Sequence, residues 1–155
     1  MRIVMIGHGM VGHRFLETLA KKAPEQHEVI VLAEEPRPAY DRVQLSAFFS
    51  GKTAEDLSVT PTDFFSSTGY GLQLNTRATG IDTKAKVVTT QNGDTFHYDK
   101  LVLATGSYPF VPPVSGNNRE GCLVYRTIED LYAIKDNAAN SKVGVVVGGG
   151  LLGLE

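Results

Sequence analysis

The sequence predicts an α/β fold: a parallel sheet with helices on both faces, plus a small antiparallel β insert. Three observations carry that expectation. A short apolar, β-branched run, Ile3 to Ile6, leads straight into Gly7-His8-Gly9-Met10-Val11-Gly12, after which Phe15, Leu16 and Leu19 recur at helical spacing. A second apolar run, Val29 to Leu32, follows the helical pattern and ends on Glu34 and Glu35. Between residues 78 and 96, β-forming stretches flank Asn92-Gly93, a strong tight-turn signal.

Strand, turn and helix in that order give G-x-G-x-x-G the context it needs. Gly7 permits the tight turn, Gly9 lets a pyrophosphate approach the backbone, and Gly12 lets helix and strand pack closely. The helix N-terminus offers free N–H groups and positive dipole to phosphates. The sheet is therefore Rossmann-like, and dinucleotide binding stands ahead of a merely structural glycine turn.

Bulk properties exclude other classes. The chain has 155 residues and a formal net charge of −2, so no basic surface points to nucleic acid and no polybasic segment to a membrane. Cys122 is the only cysteine. An intrachain disulfide is impossible, and no cysteine-based iron–sulfur or zinc site can be built from this chain alone. The cysteine usage reads as cytoplasmic. The apolar start is too short for a signal peptide, and no stretch suffices to span a bilayer.

Taken in order, the first helix ends at Ala23-Pro24. An acid at the end of the second strand accepts hydrogen bonds from ribose hydroxyls in dinucleotide folds, roughly 20 residues beyond the turn. Glu34 is favoured, with Glu35 as understudy; the alternative is two solvated loop carboxylates. Pro36 and Pro38 stiffen the next stretch. Arg42 follows, as a phosphate ligand or as a plain surface arginine. Phe48 and Phe49 read as core or cofactor-packing aromatics. Ser50-Gly51-Lys52-Thr53 lacks the earlier glycine of a Walker loop, since position 46 is Ser. Thr60-Pro61 reads as N-cap and first-turn proline of a helix running to about Thr68, stopped by Gly69 and Gly71. Leu72 and Leu74 suggest a short strand.

Leu101 to Leu103 reads as a buried strand ending at Ala104-Thr105-Gly106, where parallel sheets bind ligands. Tyr108-Pro109 and Pro112-Pro113 stiffen the loop beyond. Thr127 caps a helix with acids in its first turn and Leu131 and Ile134 on its apolar side. After a linker, Val143 to Val147 reads as another strand running into a second glycine turn, Gly148-Gly149-Gly150-Leu151-Leu152-Gly153. Two such turns imply two dinucleotides. The second unit's helix, further strands and acid are missing before Glu155, so the chain is expected to be part of a longer protein. His8, His13, His27 and His97 show no metal spacing and read as surface or packing residues.

Both glycine turns, Tyr40-Asp41-Arg42, Tyr98-Asp99-Lys100-Leu101 and Ala104-Thr105-Gly106 together resemble the FAD/NAD(P)-dependent pyridine nucleotide oxidoreductases. Within that class, Gly9 to Phe15, Glu34-Glu35-Pro36-Arg37, Ala39 to Val43 and Tyr125 to Leu131 resemble the N-terminal region of the large subunits of assimilatory NAD(P)H nitrite reductases. The resemblance spans essentially the whole chain, and residues 34–46 are its most specific part.

The resemblance implies an FAD/NAD(P)-binding fold, incomplete here. Residues 1–115 would be the first lobe of the FAD domain, 116–142 a connecting loop and helix, and 143–155 the start of a truncated NAD(P)H-binding domain. The FAD pyrophosphate site falls on Gly7, Gly9, Met10, Val11 and Gly12, and the ribose acid on Glu34 or Glu35. Arg42 and Ser46 match positions lining the flavin cofactor, and Ala78 one whose backbone meets the adenine. Ala104, Thr105 and Gly106 match the flavin-side turn, and Arg126 an arginine near the cofactor. Gly148, Gly150 and Gly153 begin the NAD(P)H site.

The implied function is electron input: NAD(P)H reduces FAD, and electrons pass on to a sirohaem and iron–sulfur centre that lies outside this stretch and reduces nitrite to ammonium. No residue here is assigned as catalytic or as a metal ligand. A small subunit of nitrite reductase is an expected partner, and the 155-residue stretch alone is expected to be inactive. The alternatives are a flavin-dependent ferredoxin- or rubredoxin-type reductase and a folded but inactive fragment. Val43-Gln44-Leu45-Ser46-Ala47 lacks the lysine of the ferredoxin-reductase pattern, and no cysteine lies between Tyr40 and Gly51 for thiol–disulfide chemistry. Cys122 reads as an inert small residue.

Overall fold

The computed structural model describes residues 1–23, 27–150 and 153. They divide into two compact units, Met1–Asp41 with Ser58–Gly106, and Arg42–Leu57 with Ser107–Glu155.

The first unit is built on a four-stranded parallel sheet. Its strands are β1 (Arg2–Ile6), β2 (Glu28–Leu32), β3 (Gly71–Gln73) and β7 (Lys100–Leu103), in the order β3-β2-β1-β7. β1 is central and its last four residues are buried. Alternate side chains serve opposite faces of the sheet. Ile3 and Met5, with Val29 and Val31, pack against Leu16 of α1 (Met10–Lys22) and Phe64 of α2 (Phe64–Thr68). Val4, Ile6 and Leu32 pack instead against Val88, with Phe96 and Tyr98 at the margin.

Val88 and Phe96 belong to a second, antiparallel sheet of β4 (Ala78–Asp82), β5 (Val87–Thr90) and β6 (Thr95–His97). The parallel sheet, its helices and the antiparallel addition are thus present as the sequence predicts. The cover of the second face differs from the expectation. Among the described residues the antiparallel sheet, not a helix, buries Val4 and Ile6, because Val88 and Phe96 give that small sheet an apolar face of its own. The Asn92-Gly93 turn joins β5 and β6, with Gly93 at φ +85° and its N–H donating to the Thr90 carbonyl at 3.0 Å.

Helix ends show where local signals hold. α1 ends at Lys22, with the Ala23 N–H on the Leu19 carbonyl at 2.8 Å and Lys21 and Lys22 complementing the helix dipole; Pro24 lies outside the described residues. α2 is shorter than expected. Its N-cap is Asp63, and Thr60 instead donates its hydroxyl to the Ala39 carbonyl at 3.3 Å. Pro61 to Phe64 form a turn instead, with the Phe64 N–H on the Pro61 carbonyl at 3.0 Å, and the helix starts only after it. Gly69 does stop α2, at φ +70°, whereas Gly71 opens β3.

The second unit holds a kinked 3-10 segment, Arg42–Phe48, and α3 (Ile128–Ala139). Thr127 and Asp130 form a reciprocal capping box: the Asp130 N–H donates to Thr127 Oγ1 at 3.1 Å, and the Thr127 N–H to Asp130 Oδ2 at 2.7 Å. Ile128 and Leu131 are fully buried. Phe48 meets the Tyr132 ring edge-on at 5.0 Å.

Val143 to Val147 does not form the expected strand. No sheet partner pairs with it among the described residues, and Val143, Val145, Val146 and Val147 are 70–86% exposed. A parallel strand is stabilised by neighbours along its edges and cover on its faces, and among the described residues this run has neither.

Candidate dinucleotide site

Strands β1, β2 and β3 step in one direction across the parallel sheet, while β7 lies on the other side of β1. The chain therefore reverses direction beside β1, and open α/β sheets bind ligands at the carboxyl ends of strands at such a point. Gly7 to Gly12 leave β1 there.

The geometry explains each glycine. Gly7 sits at φ +98°, and a Cβ on it would collide with the Ala104 carbonyl at the end of β7. A Cβ on Gly12 would lie 2.8 Å from the Gly7 carbonyl oxygen and 3.3 Å from Met5 Cε. Gly9 differs: a Cβ there would meet nothing within 4 Å. Its lack of a side chain answers no need of the protein's own packing and leaves room for a ligand. Gly9 is also the N-cap of the 13-residue α1, with no side-chain cap and no acid in the first turn. The helix start thus keeps its positive end uncompensated for an anion. Met10 and Val11 flank it, 38% and 78% exposed.

The neighbouring strand ends complete the edge. The Ala104 N–H pairs with the Ile6 carbonyl at 2.8 Å, and Thr105 and Gly106 follow, exposed, with Gly106 at φ +68°. Beyond β2 the structure separates the two acids. Glu34 is exposed, with the Arg77 guanidinium 3.7 Å away. Glu35 is half-buried and accepts the Tyr40 hydroxyl at 2.6 Å. Ala78 is half-buried at the start of β4, next to a register shift in its pairing with β5.

Arg42, Ser46, Arg126 and the second glycine turn lie in the second unit. Arg42 Nη1 donates to the Arg126 carbonyl at 2.9 Å. Arg126 Nε donates to the Ser107 carbonyl at 3.2 Å, and its N–H to Asp130 Oδ2 at 2.9 Å. Ser46 is half-buried in the 3-10 segment, its carbonyl accepting the Phe49 N–H at 3.1 Å. In the second glycine turn Gly148 is at φ +126°, and a Cβ on Gly153 would collide with the Gly148 carbonyl. The Gly153 N–H reaches the Gly150 carbonyl at 3.0 Å, while Leu151 and Leu152 lie outside the described residues.

Two groups were not selected from the sequence. Tyr40, 3% exposed, donates its hydroxyl to Glu35. His8, inside the first glycine turn, is 8% exposed, and its Nδ1 accepts the Ala39 N–H at 3.1 Å. Burial, reinforced by neighbouring His13, pushes the His8 pKa down to about 4. His13, 3% exposed, is also pushed down by burial, with Glu17 and the Val59 carbonyl pulling it back up. A histidine between two glycines of a phosphate turn was the one available signal for His8.

A family model described as pyridine nucleotide-disulphide oxidoreductase matches residues 1–155. The chain belongs to that family. Relatives within it include the nitrite reductase [NAD(P)H] large subunit of Klebsiella oxytoca, 53% identical over 154 residues. The nitrite reductase (NADH) large subunit of Escherichia coli (strain K12) is 51% identical over 155 residues. Each alignment covers 99% of this chain but only 16% and 18% of those relatives. The chain thus spans about a sixth of their length. Among solved structures, NADH:rubredoxin oxidoreductase from Clostridium acetobutylicum superposes with a TM-score of 0.86 at 25% identity, over 98% of this chain and 39% of that one. The NADH-bound water-forming NADH oxidase from Lactobacillus brevis shares the fold, with a TM-score of 0.88 over 99% of this chain and 36% of that one, at 24% identity.

The residues of this chain fit a dinucleotide at the first glycine turn, on the open space at Gly9 and the uncapped start of α1. They supply no thiol pair: Cys122 is free and exposed. Among the described residues no cluster of His, Cys, Asp and Glu is suited to a metal, and no helix is long and apolar enough to cross a membrane.

Proposed function

We propose that this chain is the electron-input region of an NAD(P)H-dependent nitrite reductase large subunit. The 53% identity to the Klebsiella oxytoca subunit, sustained over 99% of the chain, carries the reading. Residues 1–115 form the first lobe of an FAD domain, 116–142 connect, and 143–155 begin the NAD(P)H domain. An FAD held by this chain would supply hydride acceptance from a nicotinamide and onward electron transfer.

The protein's share is binding and orientation. Gly9 and the N–H groups of Met10, Val11 and Gly12 take the pyrophosphate. Glu34 or Glu35 accepts the ribose hydroxyls. Ala78 offers its backbone to the adenine, and Ala104, Thr105 and Gly106 border the flavin; Arg42, Ser46 and Arg126 are flavin positions by family resemblance. Gly148, Gly150 and Gly153 open the NAD(P)H site. With one cysteine the chain supplies no sirohaem or iron–sulfur ligand set; those groups, nitrite reduction and contact with a small subunit belong to the remainder of a cytoplasmic enzyme. The likeness to NADH:rubredoxin oxidoreductase favours a second reading, a flavin reductase for a small redox protein.

The visible spectrum of the full-length gene product separates the two. Sirohaem bands beside flavin bands are expected. Flavin bands alone, in intact and fully loaded protein, would replace the first reading with the second.

A further inference from the structure

The buried polar groups beside the first glycine turn are not accounted for by phosphate binding. His8 projects from the turn itself, and its ring meets His13 edge-on at 5.6 Å and Phe65 edge-on at 5.3 Å. Nδ1 accepts the Ala39 N–H at 3.1 Å, so the ring hydrogen is on Nε2, which is buried without a hydrogen-bond partner. A merely space-filling residue would not need this bond.

Ala39 is a junction. It is 1% exposed, so its N–H has no water to turn to. Its carbonyl accepts the Val59 N–H at 3.0 Å and the Thr60 hydroxyl at 3.3 Å. The next residue, Tyr40, bridges to Ser58 and donates its hydroxyl to Glu35 at 2.6 Å. One chain of hydrogen bonds therefore runs from the phosphate turn to the acid beyond β2.

We propose that His8 is a positioning residue for the dinucleotide site: its neutral imidazole clasps the Ala39–Tyr40 segment to the glycine turn and so fixes Glu35 where a ribose would bind. The inference rests on the dinucleotide reading above. An imidazolium has no acceptor lone pair at Nδ1, so protonation opens the clasp. The groups around His8 do not favour that proton. α1 presents His13, backed by Glu17 at 4.0 Å, and Glu17 is itself engaged by Arg14 at 2.9 Å. α2 presents the uncharged rings of Phe64 and Phe65, and the facing loop presents the Ala39 backbone. Burial beside a second imidazole keeps His8 neutral at pH 7 and places its titration in acid.

The test compares wild type, H8N and H8L in the full-length protein. Asparagine Oδ1 occupies the position of histidine Nδ1 and accepts the same N–H without titrating; leucine keeps the branching and accepts nothing. FAD dissociation and Ala39 amide exchange, corrected for intrinsic rates, are followed from pH 7 to pH 4.5. In wild type Ala39 protection is expected to fall at least tenfold, because the open clasp takes up a proton at an ordinary histidine pKa, and the FAD Kd is expected to rise over the same range. In H8N both are expected near wild-type values at pH 7, with the acid step cut below threefold. H8L is expected to lack Ala39 protection at every pH. An H8N profile that keeps the full acid step, or an H8L protein with Ala39 still protected, overturns the clasp. If wild type binds no FAD, the dinucleotide reading fails and Ala39 exchange alone decides the clasp.

Discussion

Gly7 and Gly148 open two glycine turns with the same internal logic. Both take positive φ, +98° and +126°, and in both the last glycine of the motif lies so close to the first one's carbonyl that a Cβ would not fit. Their surroundings differ. Gly7 is pressed against the Ala104 carbonyl just beyond the paired strand β7 and follows a strand buried on both faces. A Cβ on Gly148 would meet nothing within 4 Å, and the valines before it are exposed. A glycine turn is written locally, whereas a binding site also needs the sheet that holds the turn in place.

The comparison can be broken at its anchor. Gly7→Ala should cost about 3–5 kcal/mol, from a strained φ and a backbone collision together. Gly148→Ala should cost under about 1 kcal/mol in global unfolding, because an undocked segment relaxes. Urea denaturation of the two variants followed by circular dichroism checks this; equal losses would remove the distinction.

Acid should act on the first turn. A histidine whose folded pKa is lowered binds its proton more readily in the unfolded chain, so stability is full above about pH 6.5 and falls as pH drops towards about 4. For His8 the loss is on the order of 2–3 kcal/mol. Denaturation midpoints at pH 7 and pH 5 measure it, and H8N should lose most of the difference.

The strands leading into the turns sharpen the contrast further. Val4 is fully buried, and Val4→Ala should cost about 2 kcal/mol. Val145 is 84% exposed, and Val145→Ala should change stability by less than about 0.5 kcal/mol. A comparable cost at both positions, read by the same denaturation, would mean that residues 143–147 are packed after all.

Features legible in the sequence share one property: their partners are near in the chain. The strand–turn–helix of residues 2–22, the Asn92-Gly93 hairpin and the Thr127–Asp130 capping box each close within a few residues. Misread features depend on distant partners. Thr60 has an N-cap's chemistry, but its hydroxyl donates to the distant Ala39 carbonyl and the helix begins only at Phe64. Val143 to Val147 has a strand's composition but pairs with no strand among the described residues. The cover of Val4 and Ile6 depends on Val88, which no periodicity near β1 announces. At the site, Gly7, Gly9 and Gly12 were readable from spacing. The different settings of Glu34 and Glu35 were not, because they depend on Arg77 and Tyr40.

Gly9 offers the most direct test of what the first turn is for. Its φ of −98° suits any L-residue, and a side chain there meets no protein atom within 4 Å. Flavin content of the full-length Gly9→Val protein, measured beside the unfolding midpoints of the flavin-stripped variant and wild type, is therefore decisive. Unchanged stability with flavin lost is the expected result, since the valine would fill only the space a pyrophosphate needs. Unchanged stability with flavin retained would contradict a dinucleotide at this turn.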